Sequence, residues 1–296
     1  MCLSNLGMHI DAINILQKLL VDREKMDDQC DGAQESSIFN LSFIYLHLGT
    51  VYLKMDDNQN AERYLVLAMQ SELNTASREA VTDYHGYSEE ADDPCDNFLN
   101  IERMSPEERV NMIKHPTLQI LCILKRLALS YLKQNRLHIA LAYSEKLENF
   151  TKMFYGEEAV VDVIADTFDL KALIYTQLHD HIAAIKYYNK CLDILQKLEG
   201  SSVELNLTTI YVSLASTYLC VDEFEFAESC IHKALPLLAK NKNQDQLSYA
   251  FIYMYNSFAV HCIKQHNFEK ARNHLLNALQ ACKQVSKADG QSVLHG

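Results

Sequence analysis

The sequence predicts an all-α fold, a solenoid of antiparallel helix hairpins. Three observations predict it. Apolar residues recur at three- and four-residue steps over most of the chain, which marks one face of successive helices. Only 8 Gly and 4 Pro occur among 296 residues, too little turn chemistry for a β-rich fold that reverses every dozen residues. A small residue is followed by Ala twelve positions later in five places: Gly49/Ala61, Ala128/Ala140, Ala172/Ala184, Ala215/Ala227 and Ala259/Ala271. A fixed interval of that kind is the mark of a repeat.

Each pair sits in a wider frame. The unit at 36–70 carries Tyr45, Leu48, Gly49 and Tyr52, then Ala61, Leu65 and Ala68. The unit at 117–155 repeats it with Leu124, Leu127, Ala128 and Tyr131, then Ala140 and Leu147. In the unit at 157–199 it is Phe168, Ala172 and Tyr175, then Ala184, Tyr188 and Cys191. The unit at 201–241 has Tyr211, Leu214, Ala215 and Tyr218, then Ala227, Ile231 and Ala234, and the unit at 243–285 has Tyr255, Phe258, Ala259 and Cys262, then Ala271, Leu275 and Ala278. Residues 1–30 hold only a second half, with Ala12, Leu16 and Leu19, and 286–296 read as a flexible tail.

The small residues let the two helices of a hairpin approach closely, so a larger side chain such as Ala227→Leu would overpack the seam at about 1–3 kcal/mol. Polar turn residues stand where the chain must reverse: Asp56-Asp57-Asn58, Gln134-Asn135, His179-Asp180, Val221-Asp222 and Gln265-His266-Asn267. Gly156 and Gly200 fall between units, where a helix end wants a residue that tolerates positive φ. Ser201-x-x-Glu204 reads as a capping box, and Pro236 is expected to end or kink its helix.

One segment breaks the frame. Ala61 to Ala140 is 79 residues, against 44, 43 and 44 for the next three Ala-to-Ala intervals, and the extra length lies within 71–116. Glu79 to Glu108 holds ten acids and one base, which predicts an acidic loop. It serves as a spacer, as a strap that competes for the groove, or as a landing site for a basic partner. Ser105-Pro106-Glu107-Glu108 has the order of a helix start, giving a short helix near 106–113; the same Ser-Pro pair also reads as a proline-directed phosphorylation site.

The aromatic/small/Ala frame resembles the tetratricopeptide repeat, and the resemblance covers nearly all the chain outside the insertion. The long period is similar to the long-helix variety seen in kinesin light chains, and Tyr255-Asn256-Ser257-Phe258-Ala259 is similar to that group's first-helix motif; Asp169 and Val212 stand where two other units would carry the Asn. The resemblance implies a right-handed superhelix whose first helices line a concave groove, and a role in holding other proteins. Projected onto that groove, the frame offers Lys125, Asp169, Val212, Tyr253, Asn256 and Lys264 as partner-binding residues, with Asn256 gripping a peptide backbone. The paired Lys/Asn clamp by which some family members hold a C-terminal carboxylate is absent, so the expected partner is an extended peptide or an amphipathic helix of another protein.

Composition narrows the alternatives. The net charge is -12, yet residues 117–296 carry equal numbers of acidic and basic side chains, so the excess acid lies in 1–116. No basic stripe appears, which argues against nucleic acid. No run of about 18 apolar residues would cross a membrane. Nine Cys without a CxxC point to apolar packing in a reducing, cytoplasmic compartment. HExxH, GxSxG, P-loop and GxGxxG patterns are all missing. His179-Asp180-His181 lacks a third metal ligand at useful spacing, as do His261 and His266, and Cys220 and Cys230 read as buried thiols. No catalytic residue, metal or cofactor is therefore expected. The predicted function is a scaffold or adaptor; the rival reading is a structural subunit of a larger assembly, joined through outer faces and ends.

Overall fold

The computed structural model describes residues 2–27, 41–82, 104–114, 117–156, 159–198, 201–240 and 245–292. Among them every regular element is a helix. The order is α1 (Cys2–Asp27), α2 (Leu41–Lys54), α3 (Asn58–Thr82), α4 (Pro106–Met112), α5 (Leu118–Lys133) and α6 (Leu137–Tyr155), then α7 (Asp162–Gln177), α8 (His181–Leu195), α9 (Ser201–Cys220), α10 (Phe224–Lys240), α11 (Asp245–Lys264) and α12 (Phe268–Ser292). The chain divides into two compact units, Met1–Glu157 and Glu158–Gly296.

In the first unit α2 pairs with α3 and α5 with α6, while α1 packs on α2, α5 on α3 and α4 on α6. In the second unit α7 pairs with α8, α9 with α10 and α11 with α12; α9 also lies against α8, and α11 against α9 and α10.

The seam is as the spacing requires. Ala61, Ala128, Ala140, Ala172, Ala184, Ala215 and Ala227 are 0% exposed, Ala259 1% and Ala271 3%. Gly49 is the tightest point: a Cβ built there would stand 2.6 Å from Leu65 Cγ and 3.2 Å from the Ala61 carbonyl oxygen. Nearer the turn, an aromatic clasp closes four of the five hairpins. Tyr52 stacks on Tyr64, Tyr131 meets Tyr143, Tyr175 stacks on Tyr187 and Tyr218 on Phe226, with ring centroids 5.3 to 5.5 Å apart. The fifth hairpin has Cys262 at that place.

The reversals are one motif used five times. Asp56, Asn135, His179, Asp222 and His266, each seven residues after the small seam residue, have φ of 59° or 60°. The N–H of the following residue donates five positions back, as from Asp180 to the Tyr175 carbonyl at 3.0 Å and from Asn267 to the Cys262 carbonyl at 2.8 Å. This is the Schellman pattern that closes a helix C-terminus. Asp57, Asp180 and Asn267 then cap the next helix by accepting the N–H of Asn60, Ala183 and Lys270.

Two expectations at helix ends meet different outcomes. Gly156 has φ 95° and its N–H donates to the Lys152 carbonyl at 2.8 Å. Pro236 does not end α10, which runs on to Lys240; a proline removes one backbone hydrogen bond, and here the helix continues on both sides of that gap. Gly200 and the side chains of Ser201 and Glu204 lie outside the described residues.

The insertion is partly helical. α3 extends to Thr82 and α4 begins at Pro106, capped by Ser105, while 83–103 lie outside the described residues. Ser105 makes both halves of a capping box with Glu108, and those hydrogen bonds hold the Glu108 carboxyl below its usual pKa. Val110 and Ile113 bury themselves at 6% and 0% exposure. Arg109 reaches Glu62 of α3 at 3.5 Å, and the same carboxylate accepts from Tyr131 Oη at 2.9 Å, Gln134 Nε2 at 3.2 Å and Arg136 at 3.4 Å. Burial beside that carboxylate drives the Tyr131 phenol far above its ordinary pKa. One acid on α3 therefore ties α4 and the α5–α6 hairpin to the α2–α3 hairpin. α12 continues to Ser292, into the segment expected as a tail.

Candidate functional site

A cavity of about 640 Å³ lies in the second unit. One wall is a single face of α11. Tyr253, Asn256, Val260 and Lys264 stand at steps of three and four residues and all line it. The opposite wall is the end of α9 and the turn into α10, with Leu219, Cys220, Asp222 and Phe224.

The local causes are legible. The positive φ of Asp222 turns the chain sharply enough to bring Phe224 back toward α11. Its ring stacks on His261 with centroids 3.3 Å apart and planes 16° from parallel. Ser257 uses its hydroxyl internally, donating to the Tyr253 carbonyl at 3.0 Å, so among the described residues the polar groups this face presents to the cavity are the Asn256 amide and the Lys264 ammonium. Tyr253 is 65% and Val260 53% exposed, unusually open for such side chains. The cavity thus offers an apolar floor, one amide, and a cation opposite the Asp222 carboxylate.

Of the six residues projected from the repeat frame, the fold brings Tyr253, Asn256 and Lys264 together here. Lys125 is half-buried on α5 in the first unit. Asp169, on α7, belongs elsewhere in the second unit. With Asp166 it faces the Cys191 thiol, whose pKa is pushed up first by burial and then by these two carboxylates. Val212, on α9, is 8% exposed and does not line this cavity. Leu46, three residues before its small residue as Val212 is, is likewise buried at 6%, since this position faces the neighbouring first helix and an apolar side chain stays there.

The thiols divide. Cys230 is buried, and desolvation raises its pKa to about 11. Cys220, read from the sequence as buried, is exposed at the cavity edge because it is the final residue of α9. Sequence reasoning also missed Phe224 as a wall and His261 as its stacking partner; the signal was their shared proximity to the Val221-Asp222 turn and the open α11 face.

No described group of three His, Cys, Asp or Glu is arranged to hold a metal ion. His179 is the positive-φ turn residue and Asp180 the helix cap, so that triplet is spent on the reversal. No described helix is long and apolar enough to cross a membrane.

Residues 165–194, from α7 through most of α8, match the family model of the tetratricopeptide repeat. Two solved structures share the fold along nearly the whole chain. The crystal structure of BtubC (BKLC) from P. vanneervenii is 15% identical, with a TM-score of 0.59 over 96% of this chain and 91% of that one. The apo form of RapI is 12% identical, with a TM-score of 0.56 over 94% of this chain and 93% of that one. A search of curated protein sequences finds no match. The 165–194 hairpin is thus a tetratricopeptide repeat, and the chain as a whole has the helical-hairpin fold of such proteins.

Proposed function

We propose that this protein is a non-catalytic scaffold that holds a segment of another protein, in the cytoplasm, and that the cavity between α11 and the α9–α10 turn is where it does so. The observation that carries the reading is the open face of α11, on which an aromatic ring, an amide and an ammonium stand in one row above an apolar floor. An extended peptide fits this arrangement. Its backbone meets the Asn256 amide, an apolar side chain lies against Tyr253 and Val260, and an acidic group meets Lys264. The match to a tetratricopeptide repeat supports protein binding as the class. The remaining projected residues, Lys125 and Asp169, are weaker candidates because each is half-buried.

The test is calorimetric titration of a partner identified by co-purification. Asn256→Ala with Lys264→Glu should weaken binding at least tenfold, with helix content unchanged. Equal affinity for both proteins would remove the cavity from the account.

A further inference from the structure

The hairpins share one frame, so the same pair of positions recurs where one first helix packs on another. In the first unit Asp56 stands seven residues after Gly49, and Lys133, on the first helix of the next hairpin, stands five residues after Ala128. α2 packs on α5, and there the Lys133 ammonium pairs with the Asp56 carboxylate and donates to the Leu53 carbonyl at 3.0 Å. Asp222 and Lys264 hold the same two positions in the second unit, seven residues after Ala215 and five after Ala259. α11 packs on α9 as α5 does on α2, yet these two charges do not meet. They stand on opposite walls of the cavity of about 640 Å³. Both are exposed, and neither side chain has an ion-pair or hydrogen-bond partner among the described residues.

The reversal makes no use of the Asp222 carboxylate. The turn needs only its positive φ, and the side chains that cap the following helices, Asp57, Asp180 and Asn267, come one position later in the frame. The cavity therefore holds an acid and a base that the fold pairs elsewhere and here keeps apart.

We propose that the cavity selects a peptide segment in which a basic and an acidic residue are neighbours in sequence, the basic one meeting Asp222 and the acidic one Lys264, with an apolar residue two positions from the acid. The proposal rests on the cavity being the peptide site and names what that peptide carries. The spacing follows from the walls. Successive side chains of an extended chain point to opposite sides, so neighbouring residues face Asp222 and Lys264 respectively. Val260 lies on the Lys264 wall, four residues before it, which is about 6 Å along the helix axis. Two residues of an extended chain span about 6.6 Å, so the side chain two positions from the acid reaches Val260. A segment without charge leaves both groups without the partner that Asp56 and Lys133 give each other, and a segment with two like charges sets one of them against its own sign.

The probe is a phage-displayed library of random nine-residue peptides selected on the full chain, with enriched sequences titrated as free peptides by calorimetry. The expected sequences carry adjacent basic and acidic residues and an apolar residue two positions from the acid. Asp222→Asn keeps a residue that accepts positive φ, and should weaken such a peptide at least fivefold with circular dichroism unchanged. Replacing the peptide's basic residue with Gln should cost the same factor against the parent protein and nothing further against Asp222→Asn; a loss of folding would not single out that one residue. Peptides that lose affinity for Asn256→Ala with Lys264→Glu but lack the basic residue, or bind Asp222→Asn as tightly as the parent, overturn the inference and leave the cavity as the binding site. No enrichment, or peptides that bind Asn256→Ala with Lys264→Glu undiminished, removes the cavity itself and the inference with it.

Discussion

Adding a single methyl group at Gly49 tests the hairpin seam. The new Cβ would lie 2.6 Å from Leu65 Cγ and 2.9 Å from Leu65 Cδ2. Carbon atoms pack best at about 3.5–4.0 Å, so the overlap approaches 1 Å. Leu65 has no open direction to retreat, since it is 0% exposed and lies among Ala61, Ala68 and Met69, each also 0% exposed. Two effects oppose each other. Within a helix Ala is better than Gly by about 1 kcal/mol, while overpacking a closed core costs about 1–3 kcal/mol. The clash involves the branch point of Leu65 and not a mobile tip, which places the cost in the upper part of that range. The net result for Gly49→Ala is a destabilisation of about 1–2 kcal/mol.

Urea unfolding followed by circular dichroism, with hydrogen exchange of α2 and α3, measures it. Leu65→Ala alone should cost about 2–5 kcal/mol by opening a cavity. In the double variant the new methyl enters the vacated space, so the two effects should fall short of additivity by about 0.5–3 kcal/mol. A Gly49→Ala protein that is about 1 kcal/mol more stable, as intrinsic propensity alone would have it, with additive behaviour in the double variant, would refute the close-approach argument.

The other predictions concern the turns, the insertion and pH. His179→Gly should raise stability by about 0.5–1 kcal/mol, because a non-glycine residue at φ 60° carries steric cost that Gly does not; a loss of stability in thermal unfolding would contradict the turn assignment. Arg109→Ala should release α4, seen as faster hydrogen exchange in 104–114 than in the α5–α6 hairpin. His274 should make the second unit acid-sensitive. It is 8% exposed, packs against the rings of Tyr255 and Phe258, and faces Glu228, Lys270 and His232. Burial is the first cause that lowers its pKa from 6.5, against the pull of Glu228. The folded state then binds fewer protons than the unfolded one, so stability is retained above about pH 6.5 and lost as pH falls through the lowered folded value. Chemical unfolding at about pH 7.5 and about pH 5.5 should show this loss reduced in His274→Gln; an unchanged loss would assign it to other groups.

Much of the fold was legible because a hairpin repeat writes its geometry as fixed spacing. The twelve-residue interval locates both helices of each pair, and Asp56, Asn135, His179, Asp222 and His266 mark the reversals at a constant seven-residue offset from the seam. The site was less legible. The frame says which helical face a residue occupies, but it does not say whether a neighbouring helix closes over that face. Val212 and Asn256 share one frame position, yet the first is buried on α9 and the second exposed on α11. Cys220 was misread for a related reason, since the last residue of a helix has lost the periodicity that would bury it. Phe224 enters the cavity through the backbone of a turn, which apolar periodicity does not report. The Glu62 hub joins residues 47 to 74 positions apart, beyond the reach of any local pattern.

The most direct test of the protein-holding claim is a nuclear magnetic resonance titration of the full chain with the minimal binding peptide of a verified partner, following the Asn256 side-chain amide. The account predicts that this resonance shifts in proportion to occupancy, together with amides of Tyr253, Val260 and Lys264, and that the shifts vanish in Asn256→Ala with Lys264→Glu. Saturating binding with the Asn256 amide unmoved and the shifts gathered elsewhere on the chain would contradict it.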